Sequence, residues 1–166
     1  GAMNRRKFYE VFEREAYRAG RYSRPTMLAS FDIDHFKLIN DAYGHAAGDD
    51  CLKAFVELVQ SSTRQTDILA RFGGEEFILL MPETETQAAV ELCERLKRSV
   101  AGLQVDSDRG PVSFTVSVGV TEVDPDIPNL DFSLGVADAA LYQSKRNGRN
   151  RVTYMMSDAA PHALKN

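Results

Sequence analysis

Cysteine is scarce in this chain, and its two copies, Cys51 and Cys93, fall at apolar positions of amphipathic helical patterns. Two isolated cysteines make neither a disulfide framework nor a zinc site, so both are expected to be reduced core residues. His35 and His45 lack metal-ligand spacing and have no partner cysteines, which argues against zinc a second time. No apolar run approaches membrane-spanning length and the N-terminus has no apolar signal region. The chain therefore carries no membrane segment and is expected in the cytoplasm. An excess of positive charge is missing too. The formal net charge is -4 at pH 7, which argues against polymeric DNA or RNA as a ligand and leaves room only for a local basic pocket for phosphate. No Gly-x-x-x-x-Gly-Lys-Ser/Thr loop is present, so P-loop chemistry is excluded.

What is there is an ordinary globular mixture, 43% hydrophobic and 27% charged over 166 residues, the size of one domain able to bury its own core. Asn4 to Arg18 spaces Phe8, Val11, Phe12 and Ala16 as an amphipathic helix. From Thr26 to Asp34 the period changes to two, with Met27, Ala29, Phe31 and Ile33 on one face and Leu28, Ser30, Asp32 and Asp34 on the other. A short helical stretch from His35 ends near Gly44 and supplies Lys37 and Asn40. Gly48-Asp49-Asp50 is expected to open the next helix, where Asp49 reads equally well as a cap or as a ligand-binding carboxylate. Thr84-Glu-Thr-Gln87 has the form of a capping box ahead of a helix with Ala89, Leu92, Cys93, Leu96 and Val100 inward. Val112 to Val120 alternates as a half-buried strand. A last helix turns Leu134, Ala137 and Leu141 inward and stops at Gly148, a short strand follows from Arg151 to Met155, and residues 157–166 are expected to be a flexible tail. This order predicts an α+β fold, an antiparallel-rich central sheet with a ferredoxin-like core surrounded by helices.

The most unusual stretch is Arg71 to Phe77, Arg-Phe-Gly-Gly-Glu-Glu-Phe. Two apolar strands separated by Gly73-Gly74 predict a hairpin with a two-residue turn in which the glycines take positive φ. Glu75 and Glu76 follow at once, where a ligand can approach bare backbone. Burying carboxylates such as Asp32 at a strand end is costly unless a cation or donors compensate. If that strand neighbours the hairpin, Asp32 and Glu75 can clamp one or two Mg²⁺, a hard cation that shares its remaining positions with phosphates and water.

These residues resemble a family. Gly73-Gly-Glu-Glu-Phe77 together with Asp32-Ile-Asp-His-Phe-Lys-Leu-Ile-Asn40 is similar to the GGDEF domain of diguanylate cyclases, in its GGEEF form, and the likeness runs from Asn4-Arg-Arg-Lys-Phe8 to Gly148-Arg-Asn150. It implies the palm-like fold of nucleotidyl cyclases and polymerases over residues 4–156. Gly1-Ala2-Met3 is read as a tag remnant, and the abrupt start inside a charged helix suggests a longer parent protein cut upstream. Any membrane attachment would lie in those absent upstream regions. It further implies condensation of two GTP into cyclic di-GMP and two pyrophosphates by a head-to-head homodimer. Mg²⁺ would be the cofactor, two per active site, with Mn²⁺ an acceptable substitute.

The resemblance also assigns roles. Asp32, Glu75 and the backbone carbonyl of Ile33 are implied metal ligands, and Glu76 lies near the reacting hydroxyl. Asn40 and Asp49 correspond to a guanine-reading pair, which decides the role of Asp49. Phe36, Lys37, Gly73 and Gly74 border the triphosphate, with Lys145 and Arg149 adding positive charge for its outer phosphates. Arg64-Gln-Thr-Asp67 resembles the RxxD inhibitory site for the product, with Arg95 as its supplementary arginine. The Asp-x-Leu-Thr-Gly-Leu segment that usually precedes Asn-Arg-Arg in the family does not occur ahead of Asn4. A catalytically silent cyclic di-GMP receptor is the rival reading, weakened by the intact Asp32, Glu75, Glu76 and Lys37. A nucleotidyl cyclase of another specificity is disfavoured by Asn40 with Asp49.

Overall fold

The computed structural model describes residues 1–157. Its elements in chain order are β1 (Met3–Asn4), α1 (Arg5–Tyr22), β2 (Met27–Ile33), α2 (Phe36–Tyr43), α3 (His45–Ser62), β3 (Ile68–Arg71), β4 (Glu76–Met81), α4 (Thr86–Ala101), β5 (Val116–Glu122), α5 (Leu130–Arg146) and β6 (Val152–Tyr154). The six strands form one sheet in the order β1-β3-β4-β2-β5-β6. β3, β4, β2 and β5 pair antiparallel, and the short edge strands β1 and β6 join parallel. The expected α+β architecture is therefore present.

The period-two pattern of β2 was read as two unlike faces, yet every residue of the strand is buried. Helices cover both faces of the sheet. Met27, Ala29, Phe31 and Ile33 pack with Phe55 and Val59 of α3 and Cys93 and Leu96 of α4. Leu28 on the opposite face packs with Phe8, Phe12 and Ala16 of α1 and Ala137 of α5. Phe55 of α3 lies 5.7 Å from Phe31 and 4.8 Å from Phe77 between ring centroids, which pins the acidic ends of β2 and β4 under one helix. Truncating such a buried ring costs about 3–5 kcal/mol.

On the other face α5 comes unusually close to β5. A Cβ placed on Gly119 would lie 2.1 Å from the Ala137 carbonyl oxygen and 2.3 Å from the Leu141 nitrogen. Only hydrogen fits between that strand and helix. The close approach sets the height at which the C-terminal end of α5 crosses the end of β2.

Several local expectations are corrected. α3 begins at His45, so Gly48, Asp49 and Asp50 lie within the helix and none of them caps it. Thr84 does not cap α4. Its hydroxyl donates to the Pro82 carbonyl at 2.9 Å, and Glu85, which precedes the helix, makes no side-chain cap. The strand expected from Val112 starts at Val116, because Val112 bridges to Val105 instead. Met3 pairs with Ala70 at the edge of the sheet. The expected tail begins with Ser157, whose N–H donates to Glu122 at 2.6 Å. Residues 158–166 of that tail lie outside the described residues. Among the described residues, no helix is long and apolar enough to cross a membrane.

Candidate active site

Asp32, the penultimate residue of β2, stands directly opposite Glu76, the first residue of β4. The pairing extends one residue further, where the Ile33 N–H donates to the Glu75 carbonyl at 3.2 Å. The two carboxylate-bearing segments anticipated from sequence are thus brought together by the ladder itself. Asp32 is buried and is ion-paired to Lys145 of α5 through Oδ2. Its Oδ1 is buried without a hydrogen-bond partner. Such an orphaned anionic oxygen is expensive and marks a place where a ligand is wanted.

A fourth acidic group, missed from sequence, completes the cluster. Asp138 of α5 accepts a hydrogen bond from Ser30 Oγ at 2.8 Å. It lies two helical turns before Lys145 on the same face, and that spacing was the signal that could have found it. Desolvation, followed by the charges of Asp32, Asp138 and Glu75, holds the Glu76 carboxyl above the usual range, against the opposing pull of Lys145. Desolvation also raises Asp138, helped by Asp32 and opposed by the Ser30 hydrogen bond and Lys145. A concentration of negative charge with one cation fits a site for a further cation.

The glycine turn differs from its expected form. The strands stop at Arg71 and resume at Glu76, so four residues form the connection, and neither Gly73 nor Gly74 has a left-handed φ. The turn is held from outside. Arg71 donates from Nε to the Gly73 carbonyl at 3.1 Å and from Nη2 to the Gly74 carbonyl at 2.8 Å. Phe72 is gripped by the start of α1, edge-on to Phe8 at 5.5 Å, stacked with Tyr9 at 6.2 Å, and covered by the Arg5 guanidinium at 5.1 Å. Here the glycines matter for closeness: a Cβ on Gly73 would sit 3.1 Å from Glu76 Oε2, whereas one on Gly74 would meet nothing within 4 Å. Open space beside bare backbone at Gly74 suits the approach of a ligand.

Asn40 lies on α2 and Asp49 on α3. Gly48 makes room for Asn40, since a Cβ there would fall 1.9 Å from Asn40 Oδ1 and 3.3 Å from Phe36 Cζ. Asp49 is exposed and lines a cavity of about 630 Å³ with Leu52, Lys53, Arg71 and Phe77. Lys37 is exposed on the first turn of α2. Asn40, Asp32 and Glu76 are not part of that cavity's lining.

Asp34, the second acidic residue of the β2 end, needs no cation. Its carboxylate accepts from Thr115 Oγ1 and Ser117 Oγ, both at 2.7 Å, and from the Asn150 N–H at 3.0 Å. This divides the two buried carboxylates sharply: donors satisfy Asp34, while Asp32 retains an open oxygen. Among the described residues no three His, Cys, Asp or Glu side chains form a ready-made metal shell. Asp32 with Glu75 and a backbone carbonyl would supply part of one, the pattern expected where a phosphate ligand and water complete it.

Arg64, Asp67 and Arg95 line a second cavity of about 750 Å³, together with Thr84 and Glu91. The Arg64 guanidinium donates to Asp67 at 3.3 Å, the Pro82 carbonyl at 2.8 Å and Thr84 Oγ1 at 2.5 Å. The three residues selected from sequence thus share one concavity, separate from the Asp32 cluster.

The sequence profile described as "Diguanylate cyclase, GGDEF domain" matches residues 1–151. The chain is 42% identical over 135 residues to "Diguanylate cyclase A" of Treponema denticola, covering 81% of this chain and 36% of that protein. Among solved structures it is similar to the active GGEEF domain of a diguanylate cyclase from Vibrio cholerae, with a TM-score of 0.86 and 34% identity over 93% of this chain and 97% of that one. It is also similar to the coiled coil and GGDEF domain of DgcB from Caulobacter crescentus in complex with c-di-GMP, with a TM-score of 0.87 and 30% identity over 93% and 82% of the two chains. The chain belongs to the GGDEF-domain family of diguanylate cyclases. It spans little more than a third of the first of the curated relatives it matches.

Proposed function

We propose that residues 4–156 form the catalytic unit of a diguanylate cyclase that joins two GTP into cyclic di-GMP with release of two pyrophosphates. The observation that carries this reading is the buried Oδ1 of Asp32, left without a hydrogen-bond partner on a residue that pairs with Glu76 across the ladder and is ion-paired to Lys145. Each domain holds one GTP, so two copies meet head to head and each contributes half of the catalytic centre.

Asp32, Glu75 and the Ile33 carbonyl would hold Mg²⁺, two ions per site, or Mn²⁺ in their place. A metal held by these residues would supply charge neutralisation for the triphosphate and Lewis-acid assistance to attack of the 3′-hydroxyl on the α-phosphorus. Lys145, ion-paired to Asp32, and Arg149 beyond the end of α5 add positive charge for the outer phosphates. Phe36, Lys37 and Gly73 border the triphosphate, and the open backbone at Gly74 admits it. Asn40 and Asp49 read guanine: the carboxylate accepts from N1 and N2, and the amide complements the acceptors. Glu76, opposite Asp32 at the start of β4, lies near the reacting hydroxyl in this reading.

The cavity around Arg64, Asp67 and Arg95 supports product binding, and we assign it to feedback inhibition by cyclic di-GMP. Recognition of c-di-GMP by DgcB, a structural neighbour, is consistent with this. The same cavity is what favours the second reading, a silent cyclic di-GMP receptor.

A domain forced to dimerise through an added coiled coil, given GTP and Mg²⁺, is expected to yield cyclic di-GMP by chromatography, and its Glu75→Gln variant none. Absence of product from a forced dimer that binds cyclic di-GMP would replace the enzyme reading by the receptor reading.

A further inference from the structure

We propose that Asp34 is a positioning residue that fixes the turn after α5 and so places Arg149 for the outer phosphates of the nucleotide. The inference rests on the reading of Arg149 as a triphosphate-binding residue. It adds a buried group that touches neither nucleotide nor metal in that reading.

The turn needs outside support. Gly148, Arg149 and Asn150 have φ of 119°, 63° and 47° in succession. Glycine adopts such a conformation freely, but two following L-residues do so only when their surroundings over-determine them. Local bonds supply part of this. The Arg149 N–H donates to the Ser144 carbonyl at 2.9 Å, which ties the turn back to α5. The Arg149 carbonyl accepts from Arg151 Nε at 3.0 Å. The remaining anchor comes from the far side of the sheet's end, where the Asn150 N–H donates to Asp34 Oδ2 at 3.0 Å.

Asp34 is itself held so that this bond has one direction. It is 5% exposed. Its own N–H donates to the Thr115 carbonyl at 2.9 Å, while Thr115 Oγ1 and Ser117 Oγ bind its two oxygens from the start of β5. All three partners of the carboxylate are neutral donors, two hydroxyls and one amide. The chemistry requires an acceptor at the Oδ2 position, where the Thr115 hydroxyl and the Asn150 N–H converge, because an NH₂ or a methyl group in that place would leave a mismatch. The hydroxyls can rotate away from the mismatch. The backbone N–H of Asn150 cannot. Asp34 therefore links the β2 end that carries Asp32 to the turn that carries Arg149, and keeps the acidic and basic halves of the site in one frame.

The test is a double-mutant cycle on binding of 3′-deoxy-GTP, which lacks the hydroxyl needed for cyclisation, with GMP as the reference ligand lacking the outer phosphates. Arg149→Ala in the otherwise unchanged protein is expected to weaken 3′-deoxy-GTP about 10-fold and GMP less than about 2-fold. Asp34→Ala, which removes the acceptor of the Asn150 N–H, is expected to reproduce both effects with the fold retained by circular dichroism. Asp34→Asn, whose amide oxygen can keep the Oδ2 contacts while its NH₂ faces the rotatable Ser117 hydroxyl, is expected to retain most of the 3′-deoxy-GTP affinity. Adding Arg149→Ala to Asp34→Ala should then cost less than about 2-fold more, since the guanidinium has already lost its placement. Full additivity of the two substitutions would overturn the proposal, as would equal losses for GMP and 3′-deoxy-GTP. If Asp34→Ala does not fold, the same cycle is run with Thr115→Val, which removes one of the hydroxyls that orient Asp34. Failure of the unchanged protein to bind 3′-deoxy-GTP would instead remove the nucleotide reading itself.

Discussion

Asp32 and Glu76 are cross-strand partners at the end of the β2–β4 ladder, and Lys145 from α5 is the cation that meets them. Substituting Asp32→Asn removes a proposed metal ligand and also the partner of Lys145, but it relieves repulsion with Glu76. Stability should move by less than about 1 kcal/mol, because loss of the pairing with Lys145 is offset by removal of a buried charge whose Oδ1 has no donor. Cyclic di-GMP synthesis should fall by at least about 100-fold. Thermal unfolding and product chromatography on one preparation check both halves, and substantial residual synthesis would remove Asp32 from the centre.

The raised carboxyl of Glu76 makes a pH prediction. A folded-state value above the unfolded one means that the native protein binds more protons through that window. Stability from this group is fully present below the ordinary value of 4.5 and is lost as pH rises through the folded value. Metal-free protein should therefore gain stability from Glu76→Gln near neutral pH and gain none under acid conditions. Melting curves at the two ends of the range measure this. A variant less stable than the original at neutral pH would show that Glu76 is held by partners rather than crowded.

Gly48→Ala separates folding from recognition. Alanine in place of a helical glycine favours the helix by up to about 1 kcal/mol, yet its Cβ would lie 1.9 Å from Asn40 Oδ1. The amide must leave its position. GTP affinity should drop about 10-fold and selectivity over ATP should narrow, while the melting temperature stays within a few degrees. Unaltered guanine selectivity by calorimetry would mean that Asn40 does not read the base.

Gly119→Ala should act in the opposite sense, on the fold. The added methyl meets the backbone of α5 at 2.1 Å and 2.3 Å, where no flexible side chain can give way. Destabilisation beyond about 3 kcal/mol is expected, with loss of soluble expression. A well-folded variant with normal unfolding would show that α5 can shift outward. In that case Lys145 should lose its contact with Asp32.

Arg64→Ala should leave the initial rate unchanged and abolish inhibition at product concentrations that silence the original protein. Its hydrogen bonds to Pro82 and Thr84 are also lost, at about 1 kcal/mol. Calorimetry with cyclic di-GMP is the direct check, and unchanged affinity would remove Arg64 from the product site.

Much of the site could be read before any coordinates, because its residues sit in continuous motifs. Asp32 at the end of an alternating strand, the paired glutamates after two glycines, and Arg64 three residues before Asp67 are local patterns, and local patterns survive without knowledge of packing. Misreadings arose where neighbours decide. A Gly-Gly pair between strands prescribes a tight turn only if nothing else holds the chain, and here Arg71 and the α1 aromatics grip a wider one. Asp49 read equally well as a cap or a ligand because Asp is a common capping residue, yet α3 had already started at His45. Asp138 was overlooked because a helix-surface aspartate is unremarkable until a strand serine and two other carboxylates are found beside it.

The sequence by itself determined the alternating and helical periods, the motif order and hence the family, since these depend on the side chains' own chemistry and spacing. Only the tertiary structure decided which of two buried carboxylates is left open. Asp32 and Asp34 are two residues apart with the same side chain and the same strand-end context. Asp34 finds two hydroxyls and an amide, while Asp32 keeps an oxygen with no donor. That difference comes from long-range neighbours on β5 and the turn after α5, which no local pattern contains.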